Sequence, residues 1–405
     1  MSRAARRLAA LGLGLALATA VGWALAARWL RPALPAVDRE AVQELLESRA
    51  QAPPDKAGAL APAAAQPAAA ATRRPEAREL YLPEEVAATI FSVHATAQVY
   101  DPWCYHAHKP GLDVVVPWEE HPAGQWRFCT NAQGLREDDE LSDGPWDLRI
   151  LVTGDSHTEG FCDNRDSFAN LLEAALRRRS GRPVDVVNAG DGAYSFHNYL
   201  GVLEKHLDLR PDVFAMCFYA GNDFVEVLPP HAWFARTALP RETEEQVAQR
   251  KLANRISGSA FVQVTRSLTW FRDHPELEQT ALAAALDLCE RAQAICLREG
   301  IELVVLCLPD PMAVDRQSHA ELFERLEREL ELDSAALATN TRLGRELLAR
   351  LAARGVRTLD LTAAFASGAG PYFWRKDLHL SVAGHAAVAA ALEPLFADGA
   401  RGLRR

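Results

Sequence analysis

Hydrophobic and polar positions divide the chain into four textures. From Leu8 to Ala27 no charged residue occurs. Twenty helical residues span roughly 30 Å, the hydrocarbon thickness of a bilayer. Arg3, Arg6 and Arg7 precede the run, Arg28 and Arg31 follow it, and Trp23 and Trp29 stand where an interfacial aromatic belt belongs. Residues 1–31 are therefore expected to form a membrane-spanning signal anchor with the N-terminus inside. A cleaved leader ending at Ala24-Leu25-Ala26 is the rival, and either places the remainder outside the cytoplasm. Asp38 to Arg49 suits a short amphipathic helix, but Ala and Pro dominate from Ala50 to Ala71, so residues 32–79 read as a semi-extended linker. Residues 80–146 mix aromatics with Pro-bounded apolar runs and are expected to form a small β-rich lead-in.

From Arg149 onward, apolar runs alternate with segments of helical period. Ile150-Leu151-Val152 leads to Phe168–Arg179, Val184–Val187 to Tyr199–Leu207, and Val213–Tyr219 follows. The alternation resumes with Thr280–Glu299, Ile301–Leu308, His319–Arg354, Val356–Leu361 and a final helix over Gly384–Leu395. Strands apolar on both faces and separated by helices predict a parallel sheet inside a three-layer α/β/α domain over residues 147–400. Between Phe224 and Pro275 the rhythm stops, which predicts an insertion over 224–275 after a strand's carboxyl end, forming either a lid or substrate wall or a peripheral decoration.

Composition narrows the function. The 405 residues carry 44 Lys plus Arg against 54 Asp plus Glu, a net charge of -10, so no basic field invites nucleic acid. Seven cysteines with no CxxC pair exclude a disulfide scaffold and thioredoxin chemistry. Cys104, His106, His108, His121 and Cys129 cluster in the lead-in, but their spacing fits no ligand rule, and a Cys104–Cys129 disulfide is the preferred expectation over a metal. Cys217 and Cys307 lie in apolar strands, and Cys289 and Cys296 share a helix, all as buried thiols.

Chemistry begins at Gly154-Asp155-Ser156-His157-Thr158-Glu159-Gly160, a strand-to-helix turn that presents a serine at the sheet's carboxyl edge. A serine hydroxyl is inert near neutral pH until a base takes its proton, so a nucleophilic reading requires a histidine and an orienting carboxylate. Asp377-Leu378-His379 supplies both from the loop before the last helix. Two further turns, Asn188-Ala189-Gly190-Asp191-Gly192-Ala193 and Gly221-Asn222-Asp223, offer donors for an oxyanion. His157, His197 and His206 are read as structural or substrate-facing.

These four blocks, in this order, resemble those of the SGNH, or GDSL, hydrolase family, and the resemblance runs from about Asn131 to Leu395, including the lead-in Asn131-Ala132-Gln133-Gly134-Leu135-Arg136 and the trailing Ser381 and Gly384-His385. It implies a flavodoxin-like sheet, no metal or other cofactor, Ser156 as nucleophile, His379 as base and then acid, Asp377 as its orienter, and Asn222 as an oxyanion donor. The family's usual oxyanion glycine falls on Ala193, so Ala193, Gly192 and Gly190 are all candidates for the second-block amide. Asp-x-His also replaces the Asp-x-x-His of many members. The expected function is an extracytoplasmic, membrane-anchored serine esterase that hydrolyses or transfers a small acyl group, acetyl above all, on a carbohydrate or cell-envelope glycan. The alternatives are a silent glycan-binding or scaffold module and, more remotely, a metal-dependent phosphoesterase. A lipase reading lacks a long apolar acyl channel.

Overall fold

The computed structural model describes residues 39–51, 75–91, 96–365 and 370–397. The Leu8–Ala27 run lies outside the described residues, and among those described no helix is long and apolar enough to cross a membrane. Nine strands are present among them: β1 Gln98–Asp101, β2 Tyr105–His108, β3 Asp113–Pro117, β4 Gln125–Cys129, β5 Leu148–Gly154, β6 Val184–Asn188, β7 Val213–Tyr219, β8 Glu302–Leu308 and β9 Arg357–Asp360. The last five form one parallel sheet in the order β6-β5-β7-β8-β9. This is the α/β architecture expected from the alternating pattern, with the strand progression reversing between β5 and β7. Open sheets of this kind bind ligands at the carboxyl side of such a reversal.

Alternate residues of each central strand feed opposite cores, as the strand period of two requires. Ile150, Val152, Val186 and Ala215 face helices Phe168–Ser180 and Val382–Ala397 through Phe168, Leu172, Val388 and Leu392. Leu151, Val187, Phe214 and Met216 face the other way, toward helices Phe196–Lys205, Glu276–Glu299 and Thr339–Ala352. The expected continuous run His319–Arg354 is broken. Glu331 turns left-handed at φ 53°, and the Asp333 carboxylate accepts from Ala336 N at 2.8 Å to start a new helix. A capping side chain ends the run even though the apolar spacing continues.

The lead-in consists of a short helix, Glu84–Ile90, and two antiparallel hairpins, β1–β2 and β3–β4. Contrary to expectation, Cys104 and Cys129 are both free thiols. Cys104 belongs to the main core beneath helix Phe196–Lys205, whereas Cys129 ends β4 beside Asp113, so the hairpins carry the two thiols to different places. Helix Arg39–Gln51 also departs from a free linker, since Val42 and Leu46 are buried against Ala232 of the insertion.

Arg136 ties the lead-in to the sheet. Its fully buried guanidinium donates to the carbonyls of Cys129 at 3.0 Å, Glu159 at 3.1 Å, Gly160 at 3.2 Å and Cys162 at 3.0 Å, and lies 4.2 Å over the Phe128 ring. Replacing it strands several buried acceptors at once. Arg136→Met is expected to lower the unfolding free energy by about 3 kcal/mol or more, read from urea titration. A loss below about 1 kcal/mol would show that these carbonyls do not need the guanidinium.

Candidate active site

β5 ends in a turn whose geometry depends on two residues. A side chain on Gly154 would collide with Thr158 and with the Cys217 carbonyl of β7, so only glycine lets the chain turn there. Asp155 then caps the one-turn helix Ser156–Glu159, its carboxylate accepting from His157 N at 2.9 Å. This places Ser156 at the helix start, and its Oγ lies 2.8 Å from His379 Nε2. On the far side of the ring, His379 Nδ1 lies 3.0 Å from Asp377 Oδ2, while His379 N donates to Asp377 Oδ1 at 3.1 Å. The two-residue spacing works because Leu378, between them, is left-handed at φ 63° and buried, which folds the carboxylate back onto the ring. Phe161 stacks on His379 at 3.9 Å between centroids with planes 7° apart, fixing the ring's tilt.

The other two turns reach the same edge. Gly190 N donates to Asn188 Oδ1 at 3.0 Å, so that amide is engaged. Gly192 and Ala193 line the cleft with Ser156, and a Cβ on Gly192 would stand 4.0 Å from Ser156 Cβ. Ala193 is held at φ 63°, a conformation alanine adopts only under constraint. Asn222 lines the cleft as well. Its Oδ1 is buried with no partner among the described residues. Asp223 does not face the cleft; it accepts from Tyr199 Oη at 2.7 Å and Tyr219 N at 2.8 Å beneath it.

Burial alone would lower the His379 pKa, but the charge and hydrogen bond of Asp377, with Asp155 and Glu159 behind, together hold it above the ordinary imidazole value. Burial pushes Asp155 up to about 7 despite its bond from His157 N and the nearby His379. His157 is driven well below its ordinary value by burial and by the neighbouring His379, so it is neutral.

Several residues around the cleft were not foreseen. His108 Nε2 approaches Glu159 Oε1 at 2.8 Å and Asp191 Oδ1 at 3.2 Å, with Gln98 also bonded to Asp191, at the buried wall beside Gly192. Of the five lead-in residues weighed as metal ligands, only His108 enters this group, whose ligand atoms lie within 4.8 Å of one another. A protonated His108 offsets only one of the two carboxylates, and burial pushes Asp191 up to about 7 despite the histidine beside it. Gln263, from the insertion, touches His379 Nε2 at 3.1 Å. His197 and His206 are buried away from the serine, and His385 Nδ1 accepts from Phe168 N at 3.2 Å. Glu159 was readable as the fourth residue of its turn, whereas no local pattern marked Gln263.

A family model for GDSL-like lipases and acylhydrolases matches residues 152–387, more than half of the chain. The chain belongs to that family. It is an SGNH-type ester hydrolase. No curated protein matches its sequence. Similar solved structures include a lipase/acylhydrolase from Enterococcus faecalis, with TM-score 0.37 and 15% identity over 62% of this chain and 96% of that one. A GDSL-like lipase from Bacteroides thetaiotaomicron has TM-score 0.34 and 12% identity, covering 62% and 89%. A catalytic mutant of the acetylxylan esterase Axe2 from Geobacillus stearothermophilus has TM-score 0.35 and 13% identity, covering 62% and 94%.

In this hydrolase the neutral form of His379 is the one able to accept a proton, and its pKa is raised. Ester hydrolysis is therefore expected to fall on the acid side with an apparent pKa above about 6.5. Asp377→Asn removes the charge that raises it, so the acid limb should move to lower pH while the rate drops by roughly 10³–10⁴-fold. A pH–rate profile of both proteins checks this, and an unmoved limb in Asp377→Asn would count against the assigned role of Asp377.

Proposed function

We propose that the protein is a serine esterase, anchored by its N-terminal apolar run with the catalytic domain outside the cytoplasm, that removes or transfers a small acyl group, acetyl, on a carbohydrate or cell-envelope glycan. The observation that carries this reading is the Asp377–His379–Ser156 chain opening into a cleft of about 120 Å³ walled by Val116, Trp118, Trp126, Phe128 and Phe161. Drug-sized ligands occupy pockets of about 300–1,000 Å³, so the space next to the serine suits a short acyl group and not a fatty chain. Trp118 and Trp126 both line this cleft, each with a buried indole N–H that has no partner among the described residues. Indole faces also pack well on the C–H faces of sugar rings. The placement outside the cytoplasm rests on the Leu8–Ala27 run and its flanking arginines.

The chemistry proceeds in two halves. Ser156 Oγ attacks the ester carbonyl carbon as its proton passes to His379 Nε2, and the oxyanion is met by Asn222 Nδ2 and the amides of Ser156 and of Gly192 or Ala193. The intermediate collapses, the C–O bond to the alcohol breaks, and His379 returns the proton to the departing oxygen. Water, or a sugar hydroxyl in a transferase, then gives its proton to His379 and attacks the acyl-serine, releasing the acid or the new ester and restoring the serine hydroxyl.

The full-length protein in detergent is expected to hydrolyse p-nitrophenyl acetate faster than the butyrate, and the decanoate hardly at all, with chelator making no difference. Ser156→Ala should lower the rate by roughly 10³-fold or more. Preference for decanoate would overturn the small-acyl reading. Chelator sensitivity would favour the phosphoesterase alternative, and a folded protein with no serine-dependent release from acetylated oligosaccharides would favour a silent binding module.

A further inference from the structure

The insertion that interrupts the α/β rhythm delivers one side chain to the base. Phe261–Thr265 is a single turn of π-helix, wider than the α-helical turns that flank it. Such turns are rare and recur at functional sites. The widened turn brings the Gln263 carbonyl to Tyr219 Oη at 3.0 Å, over Gly221, where any side chain would strike that carbonyl. Its side chain, buried, spans from His157 Nε2 at 3.0 Å to His379 Nε2 at 3.1 Å.

Protons along this line are determined from one end. The Leu380 N–H can only donate, and it points at His157 Nδ1 at 3.3 Å, so that nitrogen holds a lone pair. A neutral His157 then carries its hydrogen on Nε2 and donates it to Gln263 Oε1. The amide is thereby oriented with its NH₂ toward His379 Nε2. That nitrogen is also an acceptor, because the ring's hydrogen lies on Nδ1 facing Asp377. Two donors, Ser156 Oγ–H and the Gln263 amide, therefore share one lone pair.

Resting on the serine-esterase reading, we propose that Gln263 is a positioning residue that keeps His379 Nε2 an acceptor in the free enzyme and, once the base is protonated, offers its proton no competing acceptor from the insertion. The groups facing His379 make such a counterweight necessary. Asp377 on its own loop and Asp155 and Glu159 on the serine turn favour the charged ring. His157 on that turn and His385 on the final helix are held below the ordinary imidazole value, chiefly by burial, and so face it as uncharged rings. Glu226 of the insertion, which also lines the cleft, is paired with Arg266. An imidazole charged at neutral pH cannot take the serine proton. A donor aimed at Nε2 stabilises the uncharged ring and pulls against the carboxylates.

The test uses the full-length protein with Gln263→Met, which removes the donor at similar volume, and Gln263→Glu, which replaces it with an acceptor. Two readouts are followed: the pH dependence of kcat/KM on p-nitrophenyl acetate, and the titration of the His379 ring by ¹H–¹⁵N NMR, assigned with His379→Gln. Gln263→Met should move both upward by about half a unit to one unit, and Gln263→Glu further in the same direction. Folded variants whose acid limb and ring titration coincide with the parent overturn the proposal. If Gln263→Met fails to fold, the near-isosteric Gln263→Glu decides the matter alone. A shifted ring titration in a protein without esterase activity would uphold the positioning role and sink the esterase reading, whereas esterase activity with no shift would sink only the role of Gln263.

Discussion

A serine hydroxyl becomes reactive near neutral pH only while the imidazole beside it is uncharged and in line, and every element around His379 bears on that condition. Asp377 orients the ring and pulls it toward the charged state. Phe161 stacks over it, and Trp374 Nε1 holds the Phe161 carbonyl at 3.2 Å, so the ring cannot swing away from the serine. The lead-in braces the same loop from outside, where the Glu120 carboxylate accepts from Arg375 N at 2.6 Å and Lys376 N at 2.8 Å. Three distant parts of the chain thus hold the Nε2 of the candidate base in one place.

The lead-in contributes more than a brace. His106 Nε2 meets the Gly192 carbonyl at 2.9 Å, His108 pairs with Glu159 and Asp191, and Arg136 gathers the carbonyls that follow the serine turn. Three side chains from the segment 106–136 therefore fix the two turns that would flank an oxyanion. The parallel sheet supplies the direction of those turns, while the hairpins supply their rigidity.

What was legible in the sequence follows from how local each signal is. Ser156, Asn222 and the Asp377–His379 pair sit in short turns at strand ends or before a helix, where a few neighbouring residues determine the backbone, so motif and geometry coincide. The continuous apolar strands β5, β7 and β8 were equally local. Gln263 was not legible, because it lies in the 224–275 stretch where the strand-helix rhythm stops and no local motif marks it, and only the packing of the insertion over β7 brings it to His379. The same limit explains Cys104 and Cys129, whose separation depends on how two hairpins pack. It also explains the His319–Arg354 run, where the Asp333 cap overrode a pattern that taken alone said helix.

Helix Arg39–Gln51 changes the mechanics of any membrane attachment. It is seated on the insertion through Val42 and Leu46, and its Arg39 pairs with Glu242 at 2.7 Å. The next described element after it is Pro75–Ala77, which leads into the lead-in, so the reach of any anchor is set before Arg39 and not after Gln51. Only residues 28–38 separate the apolar run from the seated helix. Eleven residues extend at most about 40 Å, so under the proposed anchoring the seated helix stays within that distance of the bilayer, and the cleft reaches farther only by the span of the folded body.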